Sequence, residues 1–180
     1  MTLIYKSRIE NLEEVLEKIN PRLKKLWNQS DALVPRWATN GIVYNTFPRT
    51  ENMDKDGLAQ DWPEMSDVMI DINRMIKEYY DQLTLDISKE PYIDQIWIHC
   101  HKFGADGIAH NHPDMVISGG IYFQCELNQG NLKIEDIEYP VQTGDVLFWP
   151  ADMMHEVLPN KLDKDRIAGA IMVKVRPKCP

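Results

Sequence analysis

Apolar side chains recur at helical spacing in the first half of the chain and at strand-like, alternating spacing in the second half. Ile9, Leu12, Val15, Leu16 and Ile19 fall on one helical face. Ser7-Arg8-Ile9-Glu10 ahead of them has the spacing of a capping box, which predicts a helix starting there. Asn20-Pro21 is expected to end or redirect it, because proline disfavours the α conformation in the residue before it, with a short second helix following through Leu23 and Leu26. The strongest periodicity comes after Trp62-Pro63, where Met65, Val68, Met69, Ile72, Met75, Ile76, Tyr79, Tyr80 and Leu83 share one stripe. It predicts a helix laid on a flat surface, with the methionines read as core packing.

Past residue 90 the pattern changes. Strands are expected at about 95–102, 108–112, 116–126, 131–135, 145–149 and 167–175, with turns at Asn128-Gln129-Gly130 and Thr143-Gly144-Asp145. Short strands at such intervals point to a sandwich or barrel. The segment 31–61 mixes Pro, Asn, Gly and Thr and reads as loop and edge structure around one strand-like piece, Gly41 to Asn45. The expectation is one domain over 1–180, with residues 1–90 as a helical support layer and residues 91–180 as a β core.

Composition narrows the function. A length of 180 residues with 43% apolar side chains suffices for one substantial core, and a net charge of −8 offers no basic stripe for bulk nucleic acid. No segment approaches the roughly 20 apolar residues of a membrane span. Cys100, Cys125 and Cys179 are odd in number and far apart, which argues against a disulfide framework and for a reducing, cytoplasmic setting.

All five histidines lie after residue 98, four of them in two H-x-H pairs, His99-Cys100-His101 and His110-Asn111-His112. On a strand, each pair can aim both rings at one point. Alone, such a pair is more often two half-exposed ring hydrogen-bonders than a metal site. His155, beyond the apolar run Asp145 to Pro150, adds a distant third imidazole. Two ligands from one strand and one from another leave adjacent positions of an octahedral ion open, as a non-haem Fe(II) requires. The usual third ligand type is a carboxylate. Asp114 makes His112-Pro113-Asp114 an H-x-D, but its central proline tends to end a strand, whereas His110 with His112 has the better strand geometry and no anion. The triads His110/His112/His155 and His112/Asp114/His155 both stay open, the first favoured.

These segments resemble the 2-oxoglutarate/Fe(II)-dependent dioxygenase superfamily, in its small prolyl-hydroxylase-like branch. The resemblance covers about residues 95–175. It is carried by His110-Asn111-His112-Pro113, Ser118 to Phe123, Gly144 to Pro150, His155-Glu156-Val157 and Arg166-Ile167-Ala168. It implies a mainly β, double-stranded β-helix (jelly-roll) fold with N-terminal helices packed on its outer sheet. It also implies Fe(II), 2-oxoglutarate and O2 as cofactor and cosubstrates, with ascorbate as a further candidate. Arg166, eleven residues after His155, stands where the family clamps the distal carboxylate of 2-oxoglutarate, and its fork suits that task. The alternative for Arg166 is a surface pairing with Asp163 or Asp165. The family's I-Y-Y run is Ile121-Tyr122-Phe123 here, so Tyr122 substitutes as cosubstrate contact only if the register differs.

The implied reaction is oxidative decarboxylation to succinate and CO2 coupled to hydroxylation of a small molecule, peptide or protein. Metal affinity is expected to fall below about pH 6 as the imidazoles protonate. Asn111, Gln124 and Glu156 are candidates to orient the rings. Loops 46–61 and 106–107 are candidates to frame the pocket mouth. A second resemblance is to the cupins, through Gly104, His110-x-His112, Gly144, Pro150 and His155, although Val116 and Ile117 occupy the window of the cupin glutamate. A cupin metalloenzyme would share the fold and ignore 2-oxoglutarate.

Overall fold

Alternation of inward and outward side chains in four central strands organises the molecule. The computed structural model describes residues 4–29, 40–46, 59–83 and 86–178. The strands are β1 (Tyr5–Arg8), β2 (Val43–Asn45), β3 (Lys89–His101), β4 (Gly107–His110), β5 (Ile117–Gln124), β6 (Leu132–Ile134), β7 (Ile137–Tyr139), β8 (Asp145–Pro150), β9 (His155–Val157) and β10 (Arg166–Pro177). They form two sheets, ordered β1-β8-β5-β10-β3-β2 and β4-β9-β6-β7, with every pairing antiparallel. The architecture is a double-stranded β-helix, as expected.

Each central strand of the larger sheet serves two environments, because successive side chains leave opposite faces. Ile96, Ile98, Cys100, Ile117, Ile121, Phe123, Val146, Phe148, Ile167 and Ile171 pack into the core beneath the helices. Their alternates, including Trp97, His99, His101, Tyr122, Trp149, Ala168 and Met172, line a cavity between the sheets. Gly119 permits this at one tight point: a Cβ there would collide with the Phe148 ring.

Two helices cover the outer face. In α2 (Ser66–Gln82), entered through a 3-10 turn at Pro63–Met65, the apolar stripe is the buried face, with Val68, Ile72, Met75, Ile76, Tyr79 and Tyr80 all inside. Its outer face carries the solvent-exposed ion pairs Arg74–Glu78 and Lys77–Asp81 at helical i, i+4 spacing.

The N-terminus departs from expectation twice. Ser7 belongs to β1, not to a capping box, and the helix starts at Leu12. Tyr5 packs on Tyr79 and Phe148 with ring centroids 5.8 and 5.9 Å away, and this packing favours pairing with β8 over a longer helix. Pro21, moreover, lies inside one continuous helix, α1 (Leu12–Gln29). Proline removes one backbone bond and crowds the carbonyl four residues earlier, at a cost of about 3 kcal/mol. Burial of Leu12, Leu16, Ile19, Leu23 and Trp27 along a single stripe outweighs that cost, at about 1.5–3 kcal/mol for each fully buried side chain. The short strands β7 and β9 also lie outside the expected set, and β3 starts earlier than residue 95. Cys179 and most of the segment 46–61 lie outside the described residues.

Because Pro21 is exposed and helical, Pro21→Ala is expected to stabilise the protein by about 1–2 kcal/mol, read as a rise in the urea midpoint at unchanged slope. An unchanged midpoint would mean that the helix is already relaxed around the ring.

Candidate metal and anion site

His110 ends β4 and His155 begins β9, and the two are directly opposed Cα partners in the smaller sheet. The antiparallel ladder therefore brings their rings to 4.4 Å between centroids. His112 lies beyond the end of β4, so strand alternation does not place it. The turn does: its backbone N–H donates to the Ala151 carbonyl at 2.8 Å, and its own carbonyl accepts from Met115 N–H at 3.0 Å. The His112 ring then stands 4.8 Å from His110 and 5.2 Å from His155, centroid to centroid. One ligand nitrogen from each of the three rings lies within 4.8 Å of the others.

Backbone carbonyls orient two of the rings. Nδ1 of His110 is 2.8 Å from the Ile108 carbonyl, and Nδ1 of His155 is 3.2 Å from that of Met153. A proton on Nδ1 is the tautomer these contacts require, which makes Nε2 the nitrogen that could coordinate a metal. Nε2 of His112 is buried and has no hydrogen-bond partner. Trp149 closes the site on one side, edge-on to His155 at 4.9 Å. Asn111, Gln124 and Glu156, the expected orienting groups, are engaged elsewhere, with the Asp152 carbonyl, the Asp165 carbonyl and Lys133 respectively.

Asp114 is exposed and lies outside the cluster. The structure thus brings His110, His112 and His155 together and leaves Asp114 apart. Three imidazole ligands suit a borderline divalent ion such as Fe(II) or Zn(II), whereas Mg(II) and Ca(II) prefer all-oxygen sites.

Arg166 opens β10 and is fully buried. It pairs with neither Asp163 nor Asp165, the latter being taken by Lys102 at 2.6 Å. Its Nη1 donates to the carbonyls of Gly130 and Leu158, both at 2.9 Å, while Nε and Nη2 have no partner. Gly130 is required there, because a Cβ at that residue would collide with the guanidinium. Three side-chain amides build the approach to this arginine. Gln124 and Gln129 donate to the Asp165 and Lys164 carbonyls at 2.7 and 2.5 Å. Asn160 donates to Lys164 as well, at 2.8 Å. These amides sit in turns and strand ends with no spacing signature, which is why sequence reasoning passed over Gln129 and Asn160.

Tyr122 faces the cavity and Phe123 faces the helices, so the tyrosine next to Ile121 is the one on the inner side. Burial raises its phenol pKa, against the pull of Arg166. His99 and His101 line the same cavity, edge-on to each other at 4.8 Å. The cavity has a volume of about 280 Å³, and among the described residues Asp106 is the one carboxylate in its wall, bonded to Asn40 at 3.1 and 3.2 Å. Residues 106–107 do border it.

Burial keeps His99, His101, His112 and His155 neutral. Desolvation, reinforced by His110, lowers the pKa of His112 to about 4 and that of His155 to about 3. Desolvation with the Arg166 charge takes His99 to about 3, and His101 is likewise well below its ordinary value. The low values move the onset of proton competition at His112 and His155 below the pH of about 6 expected from unperturbed rings.

No protein-family model matches the sequence, and no curated protein does. Solved structures match the fold. A viral collagen prolyl hydroxylase, vCPH from Paramecium Bursaria Chlorella virus-1, solved as a 2-oxoglutarate complex, superposes with a TM-score of 0.65 at 12% identity, covering 96% of each chain. The α-ketoglutarate-dependent epimerase SnoN of nogalamycin biosynthesis gives 0.65 at 13% identity, over 97% of this chain and 81% of that one. A Pseudomonas putida prolyl-4-hydroxylase gives 0.58 at 11% identity, over 96% and 92%. The chain has the double-stranded β-helix fold of the 2-oxoglutarate/Fe(II) oxygenases.

The four depressed histidines make stability pH-dependent in a definite direction. An unfolded histidine binds its proton near pH 6.5, whereas in the fold His112 stays neutral down to about 4, His99 and His155 down to about 3, and His101 is likewise held well below its ordinary value, so acidification favours the unfolded chain. Metal-free protein is expected to lose stability steadily as pH falls from 6.5, by up to about 1.4 kcal/mol per unit for each such ring. Urea midpoints measured between pH 7.5 and 5 check this, and a flat profile would contradict it.

Proposed function

We propose that the protein is an Fe(II)- and 2-oxoglutarate-dependent oxygenase, acting as a hydroxylase on a small molecule or a peptide and releasing succinate and CO2. One observation carries the reading. A cluster of three imidazoles in the inter-sheet cavity is joined by a buried arginine fork directly opposite the cavity-lining His101, one suited to a metal and the other to a carboxylate.

In this reading His110, His112 and His155 hold the metal and Asp114 does not. Fe(II), when bound, supplies oxygen activation coupled to decarboxylation of the 2-oxoacid. The chain's own contribution is binding and exclusion of water. Arg166 offers Nε and Nη2 to the distal carboxylate of 2-oxoglutarate as a two-pronged donor. Tyr122, kept protonated by burial, is a neutral O–H donor on the same wall. Trp149 and Leu132 shield the space from solvent, and Met115, Met172 and Trp97 offer an apolar wall to substrate. The lining contains no lysine or arginine among the described residues, so a phosphorylated substrate finds no cationic side chain in it. Residues 1–180 act as one domain in this scheme, since β1 and β2 complete the larger sheet.

The test is anaerobic Fe(II) titration with and without 2-oxoglutarate, reading the weak visible metal-to-ligand charge-transfer band. Near-stoichiometric iron and a band are expected in the wild type and in Asp114→Ala. The band is expected to disappear with the metal in His110→Ala and His155→Ala, and to need at least about 30-fold more 2-oxoglutarate in Arg166→Ala, where a charge-assisted pair is lost. Bound iron with no band in the wild type would sink the 2-oxoglutarate assignment and favour a cupin-type metal protein.

A further inference from the structure

The pair His99-Cys100-His101 has no task in the chemistry above, yet it stands beside Arg166. We infer that His101 is a second reader of the carboxylate that Arg166 holds, and so a determinant of selectivity for a dicarboxylic over a monocarboxylic 2-oxoacid. The inference rests on the proposed role of Arg166.

Arg166 and His101 are direct Cα partners across β10 and β3, so their side chains leave the same face of the sheet side by side. Both are buried, Arg166 completely and His101 to 4% exposure. Asn160 fixes the two elements relative to each other. Its Nδ2 donates to the His101 carbonyl at 2.9 Å and to the Lys164 carbonyl at 2.8 Å, tying the end of β3 to the segment that enters β10. Nδ1 of His101 is buried without a partner, as are Nε and Nη2 of Arg166. Three unfilled polar atoms thus sit on two adjacent side chains.

A ligand that fills all three must bring acceptors and negative charge. The carbonyls of Gly130 and Leu158 aim the guanidinium but carry no net charge, and no carboxylate pairs with it among the described residues. A carboxylate has two oxygens and about four lone-pair sites, so after taking the Nε/Nη2 fork it retains capacity for another N–H. His101, protonated on Nδ1 and neutral overall, supplies that N–H without placing a second positive charge next to the arginine. His99, edge-on at 4.8 Å, packs against the ring and restrains its rotation. A methyl group in place of the distal carboxylate would leave all three atoms unfilled, and selectivity follows from that penalty.

The experiment is anaerobic calorimetric titration of Fe(II)-loaded wild type, His101→Phe and His101→Asn with 2-oxoglutarate and with 2-oxopentanoate, which lacks the distal carboxylate. Fe(II) affinity is measured separately without either acid. His101→Phe keeps a planar ring without the donor, and is expected to weaken 2-oxoglutarate by about 10- to 100-fold, as loss of a hydrogen bond to a charged group implies. His101→Asn, which keeps an N–H near the Nδ1 position, is expected to restore most of that affinity. Binding of 2-oxopentanoate and of Fe(II) should change by no more than about twofold in either variant. Equal 2-oxoglutarate affinity in wild type and His101→Phe would overturn the inference and leave the role of Arg166 standing. Weakening of both acids alike, or of Fe(II), would overturn it in favour of a structural role. Failure of the wild type to bind 2-oxoglutarate at all would remove the proposed function and this inference together. If His101→Phe does not fold, His101→Leu carries the same comparison.

Discussion

The two-residue period of the larger sheet is the constraint on which everything else depends. Helices α1 and α2 need an apolar surface beneath them, and β3, β5, β8 and β10 supply it from alternate positions. Once Ile96, Ile98 and Cys100 are committed to that core, Trp97, His99 and His101 have no choice but the inner face, and the same logic turns Arg166, Ala168 and Met172 inward. A slip of one residue would bury an arginine among the isoleucines and expose the isoleucines to the cavity, a change far larger than the few kcal/mol by which domains are stable. The apolar burial of the helical layer thereby fixes the register of the chemical side.

Electrostatics then distinguishes the cavity from an ordinary core. Burial holds His99, His112 and His155 neutral, the arginine beside the cavity has no carboxylate partner among the described residues, and Asp106, the one acid among the described residues of the wall, is bonded to Asn40. A permanent buried cation with no counter-ion is costly, and replacement by apolar side chains commonly stabilises a protein. The scaffold around Arg166 reduces the cost without removing it. Two carbonyls solvate one nitrogen, and three amides from Gln124, Gln129 and Asn160 keep the entering strand in place.

Much of this was legible in the sequence because periodicity reports burial directly. The stripe from Met65 to Tyr80 read as a helix on a sheet, and the strands from 95 onward read as a β core, because alternation and helical spacing are consequences of geometry that any packed surface imposes. Legibility ended where tertiary packing overrode local rules. Pro21 carries a strong local stop signal, yet five buried side chains on one stripe carry the helix past it. Ser7-Arg8-Ile9-Glu10 fits a helix cap as well as a strand, and only the rings of Tyr79 and Phe148, distant in sequence, decide for the strand. At the site, the clustering of His110 with His155 follows from a ladder between two short strands, of which β9 is too brief to show a pattern. Asp114 could not be separated from the triad by spacing alone, because what sets it apart is the turn that latches His112 onto Ala151. His101 was invisible as more than half of a pair, since its meaning lies in being opposite Arg166 sixty-five positions later.

Unfilled hydrogen-bonding atoms connect the stability of the fold to the chemistry it is built for. Nε2 of His112, Nδ1 of His101, and Nε and Nη2 of Arg166 are each buried without a partner. Such atoms cost about 1–3 kcal/mol apiece when left dry, and a core under no other demand would replace them. They fall into two groups. The His112 nitrogen is part of the metal-type cluster, and the other three are on adjacent residues at the end of β3 and the start of β10. A metal would satisfy the first and a carboxylate the second, and one molecule carrying a chelating 2-oxoacid at one end and a carboxylate at the other could satisfy both groups at once. Each binding event would recover part of the energy that the empty fold gives up, so occupancy and stability rise together by mass action. The polar atoms that weaken the unliganded core are thus the same ones that a metal and a carboxylate would satisfy.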